Sequence, residues 1–285
     1  MSPDHTDESW QLTLTLLGIG GAFDADRGIA NTGALLELHT TDGALLGRTL
    51  IDCGHTCGHQ LHTLGLTYDD IDAVLVTHAH GDHIDGLEVL GYKSVFLYQR
   101  RRQIISRQDV LDATWDSLAP KMGRLQLTRG SSTVATMADY FIPMPAGDDP
   151  TPIFGGRVHA RFIPVPHVDG MPAYGILLEL APGKADGPLI RWSGDCIFVT
   201  GSALFDGLGA REGDVVFHDC IFYPYYDATV HTHFESLCTL PPEVRARTVL
   251  VHHGVVEPEA APREQMHLGQ PLERFVLSPK HGWRR

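Results

Sequence analysis

The sequence predicts an α/β fold in which two strand-rich halves form two facing sheets with helices outside, a four-layer αββα sandwich. Three observations predict it. Apolar runs of strand length recur in both halves, with helical spacing between them. The chain has 285 residues and is 43% apolar, which is ample for a large core. Its densest chemical cluster, Thr77-His78-Ala79-His80-Gly81-Asp82-His83, directly follows the apolar run Ile71–Val76. Loops that leave such strands are where α/β folds place their chemistry.

The elements follow in order. Trp10–Leu17 alternates and ends in Gly18-Ile19-Gly20-Gly21, a strand and a tight turn. Ala34–Leu38 and Thr49–Ile51 read as strands, and Gly58–Leu64 as a short helix closed by Gly65. Ile71–Val76 reads as a buried strand, and Asp85–Leu90 begins a helix behind the histidine loop. Ser94–Tyr98 is strand-like. Arg102–Leu118 carries helical spacing in Ile104, Ile105, Val110, Leu111, Trp115 and Leu118. In the second half, Val158–Val165, Tyr174–Leu180, Leu189–Trp192, Val215–Phe217 and Val249–Val251 are expected strands. Phe234–Leu240 is an expected helix that stops at Pro241-Pro242. The Ala181–Pro188 stretch is a polar loop rather than a linker. One domain is expected over residues 1–285, with a core over about 10–254 and a C-terminal extension over 255–285.

Bulk properties exclude several classes. A formal charge of −13 argues against a broad footprint for duplex nucleic acid, and Arg100-Arg101-Arg102 is the one dense basic cluster. Five cysteines, without paired metal-type spacing, read as reduced and mostly buried thiols of a cytoplasmic protein. The acidic first residues are not a secretory signal, and no apolar run reaches membrane-spanning length.

Histidine is common here, at 17 of 285 residues, yet three imidazoles and a carboxylate at this spacing rarely arise by chance. Neutral imidazole suits zinc, and a carboxylate adds a harder oxygen donor. His167 follows Phe162–Pro166, Asp195 follows Ile190–Gly194, and His252 follows Val249–Val251. Each therefore stands where it can point into one cleft at a common sheet edge.

In this order the histidine motif, the lone His167, Ser193-Gly194-Asp195 and His252 resemble the metallo-β-lactamase superfamily, over roughly residues 12–254. The resemblance implies a metallo-hydrolase domain with two divalent ions, zinc being expected and manganese the alternative. His78, His80 and His167 would hold one ion. Asp82, His83 and His252 would hold the second, and Asp195 would bridge them. His253 is the alternative to His252, which is preferred because it directly follows the strand. The superfamily resemblance also favours a homodimer.

A narrower resemblance lies in Leu50-Ile51-Asp52-Cys53-Gly54 through Gln60-Leu61, and in Gly18–Phe23 followed by Asn31-Thr32. Both resemble the ribonuclease Z-like phosphodiesterase branch. By that resemblance His231 in Val230–Leu237 assists the leaving group, Glu235 orients it, Asp82 contributes to catalysis, and His233 is the fallback. Asp52 is expected to orient a ligand imidazole. His218 and Asp219 follow the Val215–Phe217 strand, and for them lining the pocket and supporting the fold stay equally open.

The short interval between His167 and Asp195 leaves no room for the RNA-gripping arm of ribonuclease Z. That shifts the expected substrate to a small phosphodiester. The pattern His231…Phe234-Glu235…Leu240-Pro241, then Leu250-Val251-His252, with Trp115-Asp116-Ser117-Leu118, is similar to phage and bacterial enzymes that hydrolyse cyclic nucleotides, including anti-Pycsar phosphodiesterases. The expected function is a dinuclear metal-dependent phosphodiesterase on a cyclic nucleotide. The competing readings are an RNA 3′-end endonuclease, a lactone, lactam or thioester hydrolase on the same metal pair, and a non-catalytic nucleotide sponge.

Overall fold

Leu12, Leu14 and Leu16 alternate along the Trp10–Gly18 strand and are fully buried, so one face of that strand is committed to a core. In the computed structural model, which describes residues 10–184, 187–205, 213–223, 229–254, 260–279 and 282–284, that face meets a second sheet.

The first sheet runs, edge to edge, through Gly282–Arg284, Arg274–Ser278, Trp10–Gly18, Gly33–Thr40, Leu45–Ile51, Ala73–Leu75, Arg102–Ser106 and Phe141–Pro145. The second runs through His267–Leu268, Thr248–Val251, Val215–Asp219, Leu189–Trp192, Tyr174–Glu179, Val158–Pro164 and Thr151–Ile153. Side-chain alternation separates the layers. Leu36, Leu38, Ile176, Leu178, Trp192, Phe217 and Phe275 fill the space between the sheets. Leu35, Leu50, Val74 and Val76 face outward onto the Gly86–Phe96 and Gln108–Met122 helices through Leu87, Leu90, Val110 and Leu118. Behind the second sheet, Leu250 packs with Phe234 and Leu237 of the Phe234–Leu237 helix. Helix, sheet, sheet and helix give the expected four layers.

Antiparallel pairing gives way to parallel pairing in each sheet. Leu45–Ile51, Ala73–Leu75, Arg102–Ser106 and Phe141–Pro145 are mutually parallel, as are Leu189–Trp192, Val215–Asp219, Thr248–Val251 and His267–Leu268. Ligands of open α/β sheets bind outside the carboxyl ends of such strands. The backbone of the histidine loop also ties the sheets together, because Tyr174 N–H donates to Thr77 O at 3.1 Å.

Some local expectations differ from the structure. Ser94–Tyr98 is not a strand: the Gly86–Phe96 helix runs through Ser94, with Leu90, Gly91 and Ser94 buried on one face. Packing there overrides the β-propensity of Val95 and Phe96. Arg102–Leu118 is not one helix. Ile104 and Ile105 belong to a strand whose residues face opposite layers, and the helix begins at Gln108. Pro242 opens a further short helix, Pro242–Arg245, as proline does well at a first helical position. Beyond residue 254, His267–Leu268 and Arg274–Ser278 enter the two sheets. The first nine residues, part of the 181–188 loop and residues 255–259 lie outside the described set. Among the described residues no helix is long and apolar enough to cross a membrane.

Candidate metal centre

Five strand ends converge on one edge of the sandwich. Ala73–Leu75 leads to Thr77, His78, His80, Asp82 and His83. Leu45–Ile51 leads to Asp52, Leu189–Trp192 to Asp195, Val215–Asp219 ends in Asp219, and Thr248–Val251 leads to His252. Two of these residues turn sharply to reach the site. Asp52 (φ 60°) and His252 (φ 61°) both adopt the left-handed conformation, which costs a non-glycine residue roughly 1–2 kcal/mol. Such strain gathers at functional sites, where packing over-determines it.

The donors fall into adjoining groups: His78, His80, His167 and Asp195; Asp82, His83, Asp195 and His252; and Asp195, Asp219, His231 and His252. Within each group the ligand-capable atoms lie within 4.8 Å of one another. His80 Nδ1 is 3.1 Å from both His78 Nε2 and His167 Nε2. Asp195 Oδ1 is 3.3 Å from His83 Nε2, and its Oδ2 is 3.2 Å from His252 Nε2 and 3.8 Å from His78 Nε2. Asp82 Oδ2 lies 3.4 Å from His83 Nε2 and 3.5 Å from His252 Nε2.

This donor set fits divalent cations. His83 Nε2 and His252 Nε2 are buried and make no hydrogen bond, although carboxylates stand beside them. Native proteins rarely leave buried polar atoms unpaired without a reason such as an ion. Two donors about 2.1 Å from one tetrahedral ion stand about 3.4 Å apart, close to the spacings observed. Burial and the neighbouring His83 hold the His78 pKa well below the ordinary value, and burial lowers His80 and His167 too. Those shifts favour the neutral rings, which offer lone pairs. Around His83 and His252 burial acts the same way, but Asp195 and the other carboxylates outweigh it and raise both pKa values. The second group is thus an acidic nest that demands positive charge.

Two carboxylates brace these rings from behind. Asp52 Oδ1 accepts from Thr77 N–H at 2.8 Å. Asp52 Oδ2 accepts from the Thr77 hydroxyl at 2.8 Å and from His83 Nδ1 at 2.8 Å. With its proton given to Asp52, Thr77 Oγ1 accepts from His78 Nδ1 at 3.0 Å. Asp52 therefore sets the tautomer of two rings, so that both present Nε2 to the centre. His167 donates from Nδ1 to Val230 O at 2.9 Å, which does the same for the third. Gly54 lets the loops close: a Cβ there would lie 1.9 Å from Asp82 O.

Asp219 is the corresponding brace on the second sheet. Its Oδ2 accepts from Cys196 N–H at 3.0 Å and from His231 Nδ1 at 3.0 Å, and its Oδ1 is 3.4 Å from His252 Nδ1. Burial of His231 is opposed and outweighed by Asp219, so the ring's pKa is raised. His231 lies at 4.7 Å over the His252 ring. Its Nδ1 is committed to Asp219, which leaves Nε2 as its second nitrogen.

Other expectations sort out by position. Glu235 does not brace His231: it is 81% exposed, and its carboxylate approaches His233 Nδ1 at 3.7 Å. Asp219 takes the place expected for it. His233 occupies the N-cap position of the Phe234–Leu237 helix. His253 turns away from the centre, with Nδ1 2.8 Å from Gly254 O and Nε2 3.2 Å from Gly269 O, so His252 is the ring at the site. His218 is buried, bonded through Nδ1 to Asp219 O at 2.7 Å and stacked on Phe205. It supports the fold, whereas Asp219 belongs to the site. The basic cluster is partly engaged by the protein itself. Arg102 is buried and bonded to Ile71 O and Asp69, Arg100 pairs with Asp72, and Arg101 donates to Ala138 O. The cleft above the centre has a volume of about 750 Å³ and is walled by Gly21, Phe23, His55, His80, Asp82, Asp195, His231 and His252, among others.

Comparison with known proteins agrees with this architecture. The chain is 28% identical over 274 residues to Anti-Pycsar protein Apyc1 of Paenibacillus harenae, covering 93% of this chain and 99% of that one. It is 28% identical over 246 residues to the protein of the same description from Saccharibacillus brassicae, covering 85% and 90%. Among solved structures, the metallo-β-lactamase fold protein YhfI of Bacillus subtilis superposes with a TM-score of 0.67 at 16% identity, covering 93% of this chain and 99% of that one. A diphosphatase from the PhnP family gives 0.64 at 15% identity, covering 92% and 96%. Human tRNase Z, short form, gives 0.57 at 19% identity, covering 94% and 99%. These structures share the metallo-β-lactamase fold. A family profile described as Anti-Pycsar protein Apyc1 matches residues 12–270, and the chain belongs to that family.

Proposed function

We propose that the protein is a dinuclear metal-dependent phosphodiesterase that hydrolyses a cyclic nucleotide. The observation that supports it most is the set of adjoining donor groups that share Asp195 beneath an open cleft, with His231 on the wall. His78, His80 and His167 would hold one divalent ion, Asp82, His83 and His252 the other, and Asp195 both. Bound ions of this kind supply Lewis-acid charge for a phosphodiester and a nucleophile near neutral pH.

The chain's own groups do the rest. Asp52 keeps His78 and His83 in the tautomers that point Nε2 inward. Asp219 holds His231 by Nδ1 and raises its proton affinity, so Nε2–H is available to the departing ribose oxygen. General acid help of this sort contributes roughly 10²–10⁴-fold. Arg102 is buried and Arg100 pairs with Asp72, which weakens the basic cluster that favoured an RNA substrate.

Incubation of the metal-loaded protein with cyclic mono- and dinucleotides and with a precursor transfer RNA tests the proposal. Ring-opened mononucleotides are the expected products. Trimmed RNA with intact cyclic nucleotides would overturn it, as would protein purified without divalent metal and unable to bind any.

A further inference from the structure

Phe23 is 91% exposed, the most exposed large apolar side chain among the described residues. The chemistry assigned so far does not use it. An aromatic ring left in water is unfavourable, and here the ring lies at the wall of the cleft above the metal centre.

The turn that carries it is braced. Asp24 Oδ2 accepts from Gly21 N–H at 2.9 Å, and Asp24 Oδ1 pairs with Arg27 at 3.2 Å. Asn31 Nδ2 donates to Gly21 O at 3.2 Å, while Asn31 N–H donates to Thr56 Oγ1 at 2.9 Å. These bonds hold the turn while leaving the ring outside the core. The same turn rests on the site: a Cβ on Gly21 would lie 2.7 Å from His252 Cε1. Two residues of chain span at most about 7 Å, so Phe23 stands close beside the reacting centre.

We infer that Phe23 is the platform on which the nucleobase of the substrate stacks. The inference rests on the cyclic-nucleotide reading proposed above. With the phosphate over the metal donors, the ribose reaches outward and the base arrives at the rim, where the exposed face of Phe23 meets it. Stacking of a base on an aromatic side chain is worth roughly 5–150-fold in affinity and tolerates any base, because every base has a π-face. Phe23 therefore distinguishes a nucleotide from a bare sugar phosphate rather than one base from another.

The test compares zinc-loaded wild type with Phe23→Ala, Phe23→Leu and Phe23→Trp. Equilibrium binding is measured for AMP and for ribose 5-phosphate, and KM and kcat for cyclic AMP. Wild type and Phe23→Trp are expected to bind AMP at least about five-fold more tightly than ribose 5-phosphate. Phe23→Ala and Phe23→Leu are expected to bind both alike, with a matching rise in KM and kcat within about two-fold. Unchanged AMP preference in Phe23→Ala overturns the inference, and so does full function of Phe23→Leu, which would make the ring a mere apolar cover. Phe23-dependent AMP preference without turnover of any cyclic nucleotide supports the platform and sinks the proposed reaction. Turnover with a KM indifferent to Phe23 sinks the platform alone.

Discussion

The two sheets furnish the metal centre in different ways. The first contributes a contiguous loop, His78 through His83, braced by Asp52 at the end of the neighbouring strand. The second contributes His167, Asp195, Asp219, His231 and His252, each from a separate loop or strand end. Each half sets one buried carboxylate behind two imidazoles: Asp52 accepts from His83 and reaches His78 through Thr77, while Asp219 accepts from His231 and stands 3.4 Å from His252 Nδ1. The difference lies in what those rings face. The rings behind Asp52 both belong to the metal donor groups. Of the two beside Asp219, His252 joins the donor group of Asp82 and His83, while His231, in a third group with Asp195 and Asp219, also lies on the cleft wall. On the proposed reading the first half serves to hold metal, and the second to hold metal and move a proton.

Asp195 is where the halves meet, so its removal has the largest expected effect. Asp195→Ala is expected to lose bound metal and more than about 10³-fold in turnover while circular dichroism stays that of the folded chain. Retention of one ion at wild-type affinity would show that the two halves bind independently. Next come the two braces. Asp52→Asn is expected to weaken metal binding by roughly 10–100-fold, read by competition with a chelating dye. Asp219→Asn is expected to lower turnover of a cyclic nucleotide by about 10²-fold, yet to spare a p-nitrophenyl phosphodiester, whose leaving group needs no proton. Equal losses on both substrates would make Asp219 a second Asp52 and erase the distinction. A smaller effect is expected for Gly54→Ala. Its Cβ would meet Asp82 O at 1.9 Å, so the loops must part, at a cost of about 1–3 kcal/mol. A lower midpoint of thermal unfolding, recovered in part by added zinc, is the expected sign.

The same contrast decides how much was legible in the sequence. The histidine loop is a local motif, and its spacing alone names the residues. His167, Asp195 and His252 were readable because each follows an apolar run, and runs end at sheet edges. Asp219 also ends such a run, but which way its side chain turns depends on sheet pairing, so its role stayed open. Local reading also failed where an edge or a boundary decided the matter. Phe141–Pro145 carries Pro143 and Pro145, which only an edge strand accommodates, so its pattern does not read as a strand. Ile104 and Ile105 fit a helical period by coincidence, while their burial in opposite layers is a property of the folded sheet.

Glu235 sharpens this lesson with the smallest expected effect. It stands four residues after His231, the spacing at which helical side chains meet, and so sequence proximity favoured it as the orienting carboxylate. Yet His231 lies before the helix that begins at Phe234, and the brace comes instead from Asp219, twelve residues earlier and one strand away. An exposed carboxylate 3.7 Å from His233 is screened by water and contributes little. Glu235→Gln is therefore expected to change kcat/KM for a cyclic nucleotide by less than about two-fold and stability by less than about 0.5 kcal/mol. A ten-fold loss in Glu235→Gln, with Asp219→Asn unharmed, would exchange the two carboxylates. The proton-handling role would then return to the local motif, and the second sheet would be left with metal binding alone.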